Sequence, residues 1–195
     1  MKRILSTFTL LFMALCSLSA QKIVRFEDEL SGLYGYKQQG KVIIEPQYID
    51  ASKEFSEGVA SVNKKEDGWG FINHSGDFIK IDKPVTYLGT VRDGLAPFRY
   101  NVNTVLTHGP RWGAMNKEGK TVIAPLYLNM PYFENGFALV EVDSHIADYV
   151  YINLHGEEIS KYASDLSEAK RLLKLYKKTE KGEAYMLWYK ETYGK

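Results

Sequence analysis

The chain has 195 residues, 45% hydrophobic and 25% charged, with 25 Lys plus Arg against 24 Asp plus Glu and one cysteine, Cys16. That composition belongs to a soluble globular protein and excludes collagen-like, strongly disordered and polybasic chains. A lone cysteine excludes a disulfide scaffold, and a near-zero net charge gives no electrostatic reason to bind nucleic acid or an acidic membrane face.

The first twenty residues have the three-part layout of a secretory signal peptide. Lys2 and Arg3 open it, Ile4 to Leu15 form an apolar run broken only by Ser6, Thr7 and Thr9, and Ser17, Leu18, Ser19 and Ala20 supply the exit. The apolar run is shorter than the roughly 20 residues that span a bilayer as a helix, so cleavage after Ala20 is expected rather than an anchor. Lipidation at Cys16 is a weaker alternative, because Leu15 stands where a small residue is needed. The expected mature chain, residues 21–195, is periplasmic or extracellular, has no cysteine and depends on burial for its stability. Its charge is uneven: residues 160–195 hold 9 basic and 5 acidic groups, against 14 and 19 in residues 21–159.

Residues 21–159 repeat themselves. The clearest copy runs from Trp112-Gly113-Ala114-Met115-Asn116 through Gly119, Thr121-Val122-Ile123-Ala124-Pro125 and Tyr127 to Phe133-Glu134-Asn135-Gly136-Phe137-Ala138. An earlier copy has Trp69-Gly70-Phe71-Ile72-Asn73, Gly76, Pro84 and Asp93-Gly94-Leu95-Ala96. Before it come Tyr34-Gly35-Tyr36, Gly40, Val42-Ile43-Ile44-Glu45-Pro46, Tyr48 and Phe55-Ser56-Glu57-Gly58-Val59-Ala60, and an incomplete fourth copy spans Tyr149 to Ile159. The step from the turn glycine to the glycine of the second motif is 18, 18 and 17 residues, a constancy that chance placement would not give. The units are thus approximately 33–62, 69–98, 112–142 and a partial 149–159.

Each piece has a local reading. Aromatic-Gly-apolar-apolar is a short strand, and Asn-x-x-Gly supplies residues that tolerate positive φ in a tight hairpin. Thr121 to Ala124 is β-branched and reads as the return strand, which Pro125 should end because proline cannot donate to a ladder. Gly136 should open a third strand with Ala138 and Val140 on one face. A three-stranded unit cannot bury its own apolar face, so neighbouring copies must stack. The expected fold is mainly β: tandem three-stranded antiparallel hairpin repeats, in a solenoid or barrel-like stack, followed by C-terminal α-helices.

This unit resembles the WG repeat family, whose pattern is Trp-Gly-apolar-Ile-Asp/Asn-x-x-Gly-x-x-Val-Ile-x-Pro-x-Tyr followed by Phe-x-Glu-Gly-apolar-Ala-x-Val. The resemblance covers about residues 33–159. It implies a bacterial, often exported β-repeat module with a binding or scaffolding role, and no catalytic residues, because the repeated positions match fold-forming ones.

Residues 160–195 read differently. After Ser164 or Asp165 as N-cap, Leu166, Ala169, Leu172, Leu173 and Tyr176 recur at helical spacing; Gly182 interrupts, and Tyr185, Trp188, Tyr189 and Tyr193 mark a second short helix. These helices are expected to cover the open end of the stack, as terminal caps do, rather than to attach to a partner or lipid layer.

The chemistry-bearing residues are sparse. His74, His108, His145 and His155 lack metal-ligand spacing, and no nucleophile elbow, phosphate loop or dinucleotide fingerprint occurs, so neither a metal nor a cofactor is expected. His74 and His155 fall in turns, where a solvated ring is expected. Trp69 and Trp112 could stack sugars, but filling the space between copies is favoured. Between Gly94 and Gly113 the connection is about seven residues longer than between Gly58 and Gly70. Insertions in repeats fall on loops, often on one binding face, which makes Asn101, Asn103, His108 and Arg111 the candidate ligand-binding residues beside the alternative of a plain extended hairpin. The resulting expectation is a monomeric, noncatalytic exported module that binds a protein or a cell-surface glycan. Two alternatives stand beside it: an enzyme or enzyme subunit with its site between repeats and tail, and a structural envelope component.

Overall fold

The computed structural model describes residues 22–104, 108–143, 149–159 and 163–194; the expected signal segment with Cys16, His145 and the side chain of His108 lie outside the described residues. The described chain is mainly β, with antiparallel strands in open sheets and two C-terminal helices, and no sheet closes into a barrel among these residues. The strands β1 (Val24–Glu27), β2 (Tyr34–Gln38), β3 (Lys41–Ala51), β4 (Val59–Lys64), β5 (Gly68–Asn73) and β6 (Phe78–Lys80) form one sheet in chain order. β7 (Tyr87–Leu88), β8 (Leu95–Asn103), β9 (His108–Asn116) and β10 (Thr121–Tyr127) form a second, and β11 (Phe137–Glu141) pairs with β12 (Tyr149–Asn153).

The sheets do not follow the copies, which corrects the expectation of three-stranded units. In each copy the third strand pairs with the first strand of the next: β4 with β5, β8 with β9 and β11 with β12. Only the first copy keeps its own three strands, β2, β3 and β4, in one sheet. In the second copy, chain beyond β6 is captured by the third copy. Asp82 N donates to Gly119 O (2.9 Å), and its carboxylate accepts from Thr121 N and Thr121 Oγ1, both at 2.8 Å. Burial pushes this carboxyl up, but the two Thr121 bonds outweigh it and hold Asp82 below the usual carboxylate range. In the third copy the Asn129 side chain takes the place of a strand: its Nδ2 donates to Leu139 O (3.3 Å) and its Oδ1 accepts from Glu141 N (2.7 Å).

Both turns of the unit differ from their sequence reading. The asparagines of Asn-x-x-Gly act through their amides, and the positive φ falls on the glycines that follow. Asn73 Oδ1 accepts from Ser75 N and Asp77 N, Asn116 Oδ1 from Lys120 N, and Asn153 Oδ1 from His155 N and Glu157 N, all within 2.9–3.0 Å. The second motif is itself a hairpin turn. Glu57-Gly58, Asp93-Gly94 and Asn135-Gly136 each place two successive residues at positive φ, the backbone of a type I′ turn, and the flanking residues exchange backbone bonds, as Ser56 and Val59 do. Nor do the prolines end the strands. Pro46 and Pro125 lie inside β3 and β10, at register shifts where a missing N–H costs no ladder bond. Room for that bulge comes from the glycine after the aromatic residue: a Cβ on Gly113 would lie 2.4 Å from Ile123 O and 2.9 Å from Pro125 N. A strand backbone, rather than an indole, occupies the space the missing side chain leaves.

Burial runs across copy boundaries, as a unit with one uncovered apolar face requires. One cluster joins Tyr36, Ile44, Tyr48 and Val62 of the first copy to Ile72 of the second. Another joins Val59 of the first to Phe71 and Phe98 of the second and Met115 of the third. The largest gathers Leu95, Ile123, Tyr127, Val140 and Ile152 beneath Tyr189 of the tail. At each junction a turn glycine sits over an isoleucine of the preceding copy: Gly76 on Ile44, Gly119 beside Ile81 and Gly156 on Ile123.

The tail forms α1 (Leu166–Tyr176) and α2 (Glu180–Tyr193), and both pack on the last copies. Asp165 is the N-cap of α1, accepting from Ser167 N and Glu168 N. The break falls at Lys177–Thr179, not at Gly182. Thr179 caps α2, and Gly182 lies buried in its first turn, where a Cβ would strike Tyr176 O at 2.0 Å. One face of α2 reaches the column of type I′ turns. Tyr185 Oη donates to Gly136 O (2.6 Å) and accepts from Leu154 N, while Tyr189 Oη donates to Asp93 Oδ2 (2.9 Å). Leu166 is half exposed and contributes little to the apolar stripe.

Gly113→Ala is expected to destabilise by about 3 kcal/mol in urea unfolding, because backbone must move to admit a methyl group. Gly40→Ala, with positive φ but open space around it, should cost only about 1 kcal/mol. Removing the hydroxyl in Tyr189→Phe takes a donor from the buried Asp93 carboxylate and should cost about 2 kcal/mol. Burial pushes the Tyr36 and Tyr185 phenols up to about 12 from an ordinary 10.0, and burial together with Asp93 pushes Tyr189 up as well. The folded state therefore holds these protons after the unfolded chain has released them. Their stabilisation should be complete below pH 10 and lost as pH rises to about 12, which melting temperatures measured across that range will check.

Candidate functional site

The structure places the insertion residues along one hairpin, with Asn101 and Asn103 on one face and Arg111 on the other. The added length continues the β8–β9 ladder without interruption from Leu95↔Asn116 to Asn103↔His108. Asn101 and Asn103 are exposed and two apart on β8, so they share a face. Arg111 lies opposite Tyr100, on the other face, and is buried; its guanidinium bonds Asp143 Oδ2 (2.5 Å) and Pro110 O (3.1 Å). That commits it to tying the hairpin to the chain after β11. His108 pairs with Asn103 through the backbone.

The tryptophans form part of a row of rings. Trp69 lies 5.8 Å from Tyr87, and Tyr87 lies 5.6 Å from Trp112, at interplanar angles of 56° and 68°. Trp69 and Trp112 are half-buried and their tilted rings pack against Tyr87, itself more exposed, which carries the row from the second copy to the third. Arg99 covers Trp112 at 5.9 Å. The two turn histidines belong to exposed residues, yet their rings rest on neighbours, His74 on Phe55 and His155 on Trp188, each at 4.6 Å.

A concave surface missed by the sequence reading surrounds Tyr132, which lies on the loop between β10 and the third type I′ turn and is 50% exposed. Three adjoining cavities share this ring. The first, about 170 Å³, has Tyr87 and Tyr132 as walls and Leu95, Pro97 and Phe133 among its apolar lining. The second, about 430 Å³, is polar, with Glu57, Thr90, Arg92, Glu134 and Asn135 around Tyr132 and Phe55. The third, about 400 Å³, lies between the third copy and α1, bounded by Asn129, Tyr151, Leu173 and Lys177; Glu134 is its one carboxylate, and no histidine lines it.

The electrostatics of this surface are nearly balanced. Glu54 pairs with Lys22, Glu57 accepts from Gly94 N (2.9 Å), and Asp93 accepts from Gly136 N (3.2 Å) as well as from Tyr189. Arg92 lies 4.9 Å over the Tyr132 ring, and among the described residues neither Arg92 nor Glu134 forms an ion pair. No group of His, Cys, Asp and Glu among these residues could hold a metal ion. The sequence signal for this place is an aromatic residue, Tyr132, directly before the repeated Phe133 and present in this copy alone.

If the ring row ties the copies together, a double-mutant cycle of Trp69→Ala and Tyr87→Ala should return a coupling of about 1 kcal/mol in urea unfolding. Strict additivity would make their contact incidental.

No curated protein and no solved structure matches the chain. The family model for the WG containing repeat matches residues 36–66 and 112–144, the first and third copies, and passes over the second, whose Pro84 is displaced and whose strand β6 is short. The tandem turns, the strand-to-strand steps between copies and these matches agree, and the chain is a WG repeat-containing protein.

Proposed function

We propose that this repeat module is a noncatalytic binding protein, exported by its first twenty residues, and that its ligand lies in the grooves around Tyr132. The observation that carries the reading is the position of this ring, half exposed and shared by three adjoining cavities, next to an arginine with no ion pair among the described residues. Elsewhere the repeated motif residues are spent on the fold: the turn asparagines on backbone amides, the turn acids on the next copy's glycine, and the tryptophans on Tyr87. In keeping with a noncatalytic role, the groove between repeats and tail is lined by a single carboxylate, Glu134, and by no histidine. A ligand lying along three cavities is an extended one, a glycan or a protein segment. No helix among the described residues is long and apolar enough to cross a membrane.

Two measurements test the proposal. Expressed with its leader in a bacterium, the chain should be recovered from the exported fraction with Gln21 as its first residue; retention of Met1 would refute the export. Immobilised residues 21–195 should capture material from an envelope extract that the Tyr132→Ala form does not retain, while both forms melt at the same temperature. Equal capture by the two forms would remove the groove from consideration.

A further inference from the structure

We propose that the ligand of the Tyr132 grooves is a neutral oligosaccharide, an inference that rests on the binding reading above and narrows it. Three properties of the surface select this chemistry. First, apolar and polar walls adjoin: the exposed tyrosines Tyr87 and Tyr132 and the side chains of Pro97 and Met130 offer flat apolar contact, and Thr90, Arg92, Glu134 and Asn135 stand beside them. A sugar ring has the matching shape, with a C–H face that packs on an aromatic ring and a rim of hydroxyls that both donate and accept.

Second, three backbone donors along the groove are already engaged. Gly89 N donates to Pro97 O (2.7 Å), Arg92 N to Leu95 O (2.8 Å) and Glu134 N to Phe137 O (2.9 Å), so a peptide strand adding to this edge finds these donors occupied. The side chains of Thr90, Glu134 and Asn135, by contrast, carry no hydrogen bond among the described residues, and together with Arg92 they supply two signs of partner for hydroxyl groups. Third, charge is nearly balanced. Glu54, Glu57, Asp93 and Glu134 stand against Lys22, Arg92 and Lys177, four anions to three cations, with Glu54 paired to Lys22 and Glu57 and Asp93 accepting from Gly94 N, Gly136 N and Tyr189. A polyanionic or polycationic ligand gains nothing from such a surface.

The probes are hexamers of a β-linked glucan, an α-linked glucan and chitin, a uronate hexamer, and a set of unstructured peptides, titrated calorimetrically into residues 21–195. At least one neutral hexamer should bind. Tyr132→Ala should weaken it about tenfold or more and Arg92→Ala about fivefold, with the melting temperature unchanged because both side chains are exposed. Conservative Tyr132→Phe should retain most of the affinity, since the ring rather than the hydroxyl is the platform. Preference for the uronate hexamer, or binding of neutral hexamers that is indifferent to Tyr132→Ala, would overturn the inference. Peptide binding that depends on Tyr132, without sugar binding, would overturn the sugar and leave the binding module standing. Failure of every probe, combined with equal envelope capture by wild type and Tyr132→Ala, would sink both.

Discussion

A carboxylate on one tight turn accepts the amide of the glycine on the next, and the arrangement of the copies depends on that bond. Two successive residues at positive φ turn the glycine N–H outward, where the ladder cannot use it. Glu57 receives the amide of Gly94, and Asp93 receives that of Gly136. The third turn carries Asn135 in place of an acid, and here the tail takes over, with Tyr185 bonding Gly136 O and Tyr189 reaching back to Asp93. The column of turns is thereby continued into α2 by phenol hydroxyls instead of another repeat. A terminal cap of this kind covers the largest apolar cluster and bonds polar groups that the turn missing from the incomplete fourth copy would otherwise meet.

Copies tied at both their turns have freedom left over elsewhere. Because third strands pair forward, each sheet belongs to two copies, and whether a copy's second and third strands remain together is settled locally. Asp82 and Asn129 draw the chain away from ordinary pairing in the second and third copies by offering side-chain bonds in place of backbone ones. The departures open concave surface: the loop that follows Asn129 carries Met130 and Tyr132 outward, next to the cavities shared with the second copy and with α1. Irregularity in a repeat thus supplies the shape that identical copies would lack.

Loop length in the long hairpin is compatible with a ligand loop or with a plain extended hairpin; the pairing extends an existing ladder to Asn103↔His108, and Arg111 is engaged by Asp143. Strand pairing absorbs extra length in two-residue steps without creating a concavity. Trp69 and Trp112 were conspicuous for a similar reason, and their rings meet through Tyr87, a residue that the repeat pattern does not single out. Tyr132 occurs in one copy only, and periodicity emphasises what recurs.

Sequence alone determined the repeat, the places of its glycine turns and most of its strands, the start of α1 at Ser164 or Asp165 and the tyrosine face of α2, because these rest on contacts within a few residues: glycine at positive φ, a polar cap before an apolar stripe, side chains recurring at helical spacing. It also determined that neighbours must share cores, since a hairpin with one apolar face has no other way to cover it. Only the tertiary structure decided which sheet each strand joined, why Gly113 must lack a side chain, and that Tyr87, Arg92 and Tyr132 would meet around one groove. Those outcomes hang on bonds between residues some forty positions apart, Asp82 to Thr121 and Asp93 to Gly136, and no short-range pattern in the chain encodes which distant partner a side chain will find.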